Sequence, residues 1–168
     1  GQFADLHETP VPLWELLDLP RYNDMCIQFS RGCPFDCEFC NITTLFGHRP
    51  RTKSATQLIA ELDKLHGLGW RGAVFFVDDN FIGNKRQLKE EVLPALLAWR
   101  AREKGISFQT EVSINLADDE ELANGLVAAG FDSVFVGIET PNEESLAECG
   151  KNQNKGRDLV ASVKRLQR

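Results

Sequence analysis

The sequence predicts an α/β protein built on a parallel sheet, and three observations predict it. Four apolar runs, at 25–30, 73–77, 106–112 and 133–139, alternate with segments whose apolar residues recur at helical spacing. The runs are almost uninterrupted (AVFFV at 73–77), as expected of strands covered on both faces. The helical segments between them carry their own start and stop residues. Such alternation implies right-handed crossovers in a barrel or an open doubly wound sheet. In either, ligands bind at the carboxyl ends of the strands.

Taken in order, residues 1–24 are polar and proline-bearing with a short apolar patch, and read as a linker or lead-in. MCIQFS (25–30) is the first strand, followed by a long loop from Arg31 to Lys53. Ser54 opens the first helix with Gln57 as its capping-box partner. Leu58, Leu62, Leu65 and Leu68 form its apolar face, and Gly67 and Gly69 end it. After the second strand, DDNFIGN (78–84) leads into a helix of about twenty residues. Leu88, Val92, Leu96 and Trp99 form its stripe, with a kink expected at Pro94 and a stop at Gly105. Asp118 is expected to cap the third helix, with Glu121 three residues on and Gly130 as its terminator. After the fourth strand come a helical turn near Glu143 to Cys149 and an amphipathic helix from about Gly156 onward.

The 168 residues suffice for a domain with a sizeable core. The first residue is Gly and the last ones read as the middle of a helix, so the chain is expected to be a piece of a longer protein. The N-terminus lacks the basic start and apolar stretch of a secretory signal. No apolar run approaches the ~20 residues of a membrane span. The formal net charge of −6 disfavours a protein that lives by contact with nucleic-acid phosphates. Five cysteines, three of them within eight residues, do not read as a disulfide framework; they read as metal ligation in a reducing compartment.

Those three form Cys33-Pro-Phe-Asp-Cys37-Glu-Phe-Cys40, a C-x3-C-x2-C array on one tight loop after the first strand. Three thiolates can hold three corners of a cubane iron–sulfur cluster, whereas full protein ligation uses four cysteines. One iron is then left open for a substrate or cofactor, as a catalytic zinc site keeps one place free. A second reading of the same residues is a zinc-binding module with Cys33, Cys37, Cys40 and His48 as a Cys3His set. Structural zinc usually staples domains that lack a core, and this chain has the makings of one.

The array, its place after the first strand and the aromatic before Cys40 resemble the radical S-adenosylmethionine (SAM) superfamily. The stretches IQFSRGCPFDCEFC, GHRPRTKS, GWRGAVFFVDDNFIGNK and GFDSVFVGIETPNEESL are similar to its cobalamin-binding-domain-containing, hopanoid-methylase-like branch. The resemblance implies a partial (β/α)6 barrel of which this chain supplies four β-α units. Residues 25–168 would be the N-terminal two-thirds of the radical SAM domain, and 1–24 the lead-in from a cobalamin-binding domain. It further implies a [4Fe–4S] cluster on Cys33, Cys37 and Cys40, and SAM chelated at the open iron. Reductive cleavage of SAM would give a 5′-deoxyadenosyl radical, and the parent protein would carry out cobalamin-assisted methyl transfer. A flavodoxin or ferredoxin would supply electrons, and the substrate would be a small or lipid-like molecule. A tRNA methylthiotransferase is a sister reading, disfavoured by the acidic charge.

Site residues follow by position. Asp78 and Asp79 stand where the resemblance implies contact with the SAM amino group, and an acid facing an ammonium is a charge-assisted pairing. An Asx turn capping the next helix explains them equally. Glu111 and Glu139, at the ends of the third and fourth strands, are implied ligands of SAM and of its ribose hydroxyls. A solvated strand end competes for Glu111. Asn115 is a candidate of the same kind. The position of Phe39 in the motif implies packing near the adenine through its side chain or backbone, and a place in the core explains it equally. Arg49, Arg51 and Lys53 form a basic run that suits either a carboxylate or phosphate, or open solvent. Cys26 is expected to be buried and inert, and Cys149 has no assigned role.

Overall fold

The computed structural model describes residues 3–168. Its strands are β1 (Asp24–Ile27), β2 (Ser30–Arg31), β3 (Arg51–Thr52), β4 (Ala73–Phe76), β5 (Ser107–Val112) and β6 (Phe131–Val136). The helices are α1 (Ile42–Phe46), α2 (Ala55–Gly67), α3 (Lys85–Gln87), α4 (Leu93–Arg102), α5 (Glu120–Ala129), α6 (Glu143–Glu148) and α7 (Leu159–Leu166). One sheet runs β1-β4-β5-β6 with every pair parallel, as expected. The first predicted strand splits, however. Asp24–Ile27 joins this sheet, while Ser30–Arg31 turns away and pairs antiparallel with β3. That small ribbon closes the base of the cysteine loop.

Only one face of the sheet is fully covered, against the expectation of two. Val74, Phe76, Phe108, Val112 and Phe131 are buried under α2, α4 and α5. Phe75, Gln109 and Glu111 alternate onto the opposite face, and a register shift after Phe131, where Gln109 pairs with Ser133, brings Ser133 and Phe135 to that face as well, with Phe135 69% exposed. Helical cover on one side alone accounts for this. Cys26 falls on the open face too and is exposed, which corrects the expectation of a buried thiol. Its neighbours Met25 and Ile27 take the core side, as strand alternation requires.

The core is centred on a cluster of rings packed edge-on and tilted. Phe76 and Phe81 approach to 5.1 Å, and Phe131 lies 5.2 Å from each. Phe29 meets Phe81 edge-on at 5.7 Å. Phe81 belongs to the loop after β4, so its burial pins that loop beneath the sheet.

The helix starts explain themselves locally. Ser54 and Gln57 form the expected capping box on α2. Gln57 also donates from Nε2 to the carbonyls of Leu6, His7 and Thr9, which fastens the lead-in segment to that helix. Trp14, Leu17 and Leu19 of the lead-in pack on the core as well. The long helix expected after the second strand is α3 joined to α4 by a π-type turn at Leu88–Val92, where Leu93 N bonds Leu88 O. Pro94 follows and lacks the N–H that the next α-helical bond needs, so the wider turn absorbs the expected kink. The cap of α5 is Asp119, which accepts from Leu122 N, and not Asp118. Asp118 instead closes a 3-10 turn (Ile114–Asp118) and pairs with Arg157 at 2.7 Å. The last helix begins after Asp158, later than Gly156. Among the described residues, no helix is long and apolar enough to cross a membrane.

Candidate active site

A cleft enclosing about 700 Å³, its open mouth included, lies at the carboxyl ends of β4, β5 and β6. Cys33, Cys37 and Cys40 all line it. So do Asp79 and Asn80 from the loop after β4, Glu111 to Ser113 at the end of β5, and Gly137 and Glu139 beyond β6. Lys151 and Gln153, from the turn after α6, complete the wall, with Phe35, Phe39 and Phe135 as its aromatic surface.

The cysteine loop is held at its root by the two aspartates. Asp78 is buried and accepts from Phe29 N at 3.0 Å, from Ser30 N and from Ser30 Oγ at 2.6 Å. Asp79 accepts from Gly32 N at 3.0 Å. Gly32 has φ +102°, and a Cβ there would stand 2.8 Å from Gly47 O and 3.0 Å from Arg49 O. Only glycine permits that approach. Farther along, Cys40 N bonds Cys37 O at 2.9 Å, and Glu38 N bonds Cys149 O at 2.8 Å. A Cβ on Gly150 would come 2.7 Å from Asp36 O, so the segment after α6 lies directly against the loop. Gln153 Nε2 donates to Cys37 Sγ at 3.6 Å.

These contacts sort the predicted residues. Phe39, Asp79, Glu111 and Glu139 reach the cleft with the three cysteines. Asp78 does not: its carboxylate is turned into the protein and occupied by the donors at residues 29–30. Asn115 lies behind the cleft wall, accepting from Ser113 Oγ at 2.6 Å. The basic run disperses. Arg51 Nη1 donates to Ala4 O at 2.7 Å and its guanidinium sits 4.5 Å over the Phe3 ring. Lys53 is buried against Glu61 at 2.5 Å. His48 and Cys149 do not line the cleft.

Glu139 has φ +64°, the one non-glycine residue with positive φ among those described. Thr140 N bonds Ile138 O across it at 2.8 Å, the i→i+2 bond of a strained γ-turn. Such strain concentrates at functional sites. Its Oε1 accepts from Lys151 Nζ at 2.7 Å, and that ammonium also lies 5.4 Å over the Phe39 ring. A side chain at Gly137 would collide with both partners of this pair, each 2.7 Å from its Cβ position.

The electrostatics favour a cationic guest. Asp79, Glu111 and Glu139 face the cleft with Lys151 as the one opposing side-chain charge in its lining. Burial pushes the Glu111 carboxyl up, and the charge of Asp79 adds to this. Burial likewise pushes up the Cys33 thiol; the Phe35 N–H bonded to its sulfur opposes the rise, while Cys37, Cys40 and Asp79 reinforce it. Asp78 is pushed up to about 7 by burial, despite the donors from Ser30 and Phe29 that favour its charged form.

Lys151, Gln153, Asn80 and Ser113 were not singled out by the sequence. The glycine before Lys151 was the only local hint of a close approach, and its partner, Asp36, lies more than a hundred residues away.

Comparison with known proteins gives this cleft its context. The family profile of the radical SAM superfamily matches residues 27–168. An uncharacterized methyltransferase of Synechocystis sp. is 52% identical over 163 residues, 96% of this chain and 30% of the relative. The hopanoid C-2 methylase of Rhodopseudomonas palustris is 40% identical over 162 residues, 95% of this chain and 30% of that enzyme. The chain thus spans about three-tenths of the length of these curated relatives. The fold matches the cobalamin-dependent SAM radical enzyme OxsB, solved with aqua-cobalamin and SAM, at a TM-score of 0.78 and 19% identity over 98% of this chain and 25% of that one. It also matches the radical SAM methyltransferase TsrM from Kitasatospora setae, solved with tryptophan and a SAM analogue, at 0.73 and 20% identity over 87% of this chain and 28% of that one. With the cysteine loop at the carboxyl edge of a parallel sheet and the profile covering residues 27–168, the chain belongs to the radical SAM superfamily.

Proposed function

We propose that this chain is the cluster- and SAM-binding part of a cobalamin-dependent radical SAM methyltransferase working in the reducing cytoplasm. The observation that carries the reading is the joint opening of Cys33, Cys37 and Cys40 onto one cleft walled by three carboxylates and a lysine. Three soft thiolates spread around a shared cavity suit a cubane cluster, each taking a different iron. When bound, the cluster supplies the electron that breaks a C–S bond of SAM, opening the way to hydrogen abstraction and methyl transfer.

The chain's own residues bind and orient. The carboxylates of Asp79 and Glu111 attract the ammonium and sulfonium charges of SAM. Glu139 accepts from the ribose hydroxyls, held in place by its γ-turn and by Lys151. Lys151 offers the carboxylate of SAM a cation already at the wall. Phe39, 55% exposed on the cleft, gives the adenine a surface. Asp78 takes no part in binding and fixes the loop that carries the thiols. The methylase names of the relatives support methyl transfer over methylthiolation. Cobalamin rests on the resemblance of the four sequence stretches to that branch. The substrate, small or lipid-like, and a flavodoxin or ferredoxin as electron donor belong to the same proposal.

Anaerobic reconstitution of the full-length protein tests it. We expect four irons per chain, a paramagnetic reduced cluster, and a spectrum that changes on adding SAM. Cys33→Ala, Cys37→Ala and Cys40→Ala should each lose the cluster, and Cys149→Ala should keep it. A colourless protein holding zinc would leave the Cys3His module in its place. Failure to take up cobalamin would reduce the proposal to a radical SAM enzyme of another kind.

A further inference from the structure

We infer that Gln153 raises the reduction potential of the cluster by donating an N–H···S hydrogen bond to Cys37. The inference rests on the proposed ligation by Cys33, Cys37 and Cys40. Gln153 Nε2 lies 3.6 Å from Cys37 Sγ. Cys37 is the buried member of the trio, the other two being half-buried. A sulfur with so little access to water depends on protein donors, and in a low-dielectric setting one donor weighs heavily. Cys37 draws its donor from a segment 116 residues onward.

The turn that carries that donor is fixed in advance. Gln153 sits in a 3-10 turn, Asn152–Asn154. Its neighbour Asn154 is fully buried and donates from Nδ2 to Gly137 O at 3.0 Å and Ile138 O at 2.9 Å, tying the turn to the segment after β6. On the other side, Arg157 Nε donates to Gln153 O at 3.1 Å, and Asp118 holds the Arg157 guanidinium at 2.7 Å. These contacts fix the turn that carries the amide; the side chain itself has Cys37 Sγ as its one hydrogen-bond partner among the described residues, its Oε1 being buried without one.

The sign follows from charge. Reduction adds an electron to the cluster and its thiolates, so a donor aimed at a thiolate stabilises the reduced form more than the oxidised one. Asp79, Glu111 and Glu139 act the other way, because negative charge beside the cluster resists reduction. Gln153 is thus a positioning and tuning residue that offsets part of the acidity SAM requires.

The test is a dye-mediated dithionite titration of the reconstituted full-length protein, followed by electron paramagnetic resonance. Wild type is compared with Gln153→Met, which keeps the bulk without the donor, and Gln153→Glu, which puts an acceptor in its place. At unchanged iron content, Gln153→Met should shift the one-electron reduction equilibrium about tenfold toward the oxidised form, or ~59 mV. Gln153→Glu should shift it further. Equal potentials at equal iron content in either variant overturn the inference and leave the ligation intact. Wild-type protein that takes up no four-iron cluster removes the ligation itself, and the inference with it. If Gln153→Met loses its iron, Gln153→Leu, uncharged and equally without a donor, takes its place, and a potential equal to wild type in that variant overturns the inference. Loss of iron from both makes Gln153 a structural prop and ends it.

Discussion

Replacing Asp78 separates its two roles, as an acceptor for the chain entering the cysteine loop and as a buried acid. In Asp78→Ala the N–H groups of Phe29 and Ser30 lose their acceptor while remaining in the core. Each such orphan costs about 1–3 kcal/mol, so about 2–6 kcal/mol is at stake. Asp78→Asn keeps one oxygen for Ser30 and turns an NH2 toward Phe29 N, for a single conflict of about 1–3 kcal/mol. The pH dependence has the opposite sense to that of a salt-bridged acid. The folded state holds the Asp78 proton more tightly than the unfolded chain does, with the carboxyl raised from 3.8 to about 7. Its contribution is complete below about pH 4 and is lost as pH rises through about 7, a change on the order of 4 kcal/mol. The asparagine variant has no such loss. Urea unfolding of the cluster-free chain should therefore find Asp78→Asn less stable than wild type at pH 4, and equal or more stable at pH 8. Parallel stability curves for the two proteins across that range would refute the reasoning.

Three further outcomes follow from contacts described above. Gly32→Ala should cost several kcal/mol and reduce iron uptake, because its methyl meets three backbone carbonyls within 3.2 Å; reconstitution with iron quantitation checks this. Lys53→Met should cost about 3–5 kcal/mol by leaving Glu61 buried without its cation, and Lys53→Met with Glu61→Leu should recover most of it in thermal unfolding. Glu139→Ala should weaken SAM binding about tenfold in the full-length protein, the ~1.4 kcal/mol of a charge-assisted hydrogen bond, with iron content unchanged; calorimetry reads the difference.

The parallel order of the four strands, the capping box at Ser54 and the role of Gly130 as a helix stop were legible because each depends on neighbours in sequence. The cap at Asp119 was missed by one residue because Asp118 and Asp119 are equivalent as local signals, and the adjoining 3-10 turn decides between them. Within the site, the three cysteines stood out because they share one loop. Asp78 and Asp79 looked alike in sequence, yet in the loop after β4 the first is turned inward to the N–H groups of Phe29 and Ser30 and the second reaches the cleft. Lys151 and Gln153 carry no pattern of their own. They enter the wall only because Gly150 lets the segment after α6 press against Asp36, a contact set by the assembled fold.

The γ-turn at Glu139 sets a trade-off for anyone who engineers this protein. A positive φ on a non-glycine residue costs on the order of 1–3 kcal/mol. Glycine would relieve that strain at the same stroke as it removes the carboxylate. The same change would strand the buried Lys151 ammonium that Glu139 pairs at 2.7 Å, so the strain is retained as part of a charge pair and its removal does not by itself give a sturdier chain. Selection for turnover should keep the glutamate.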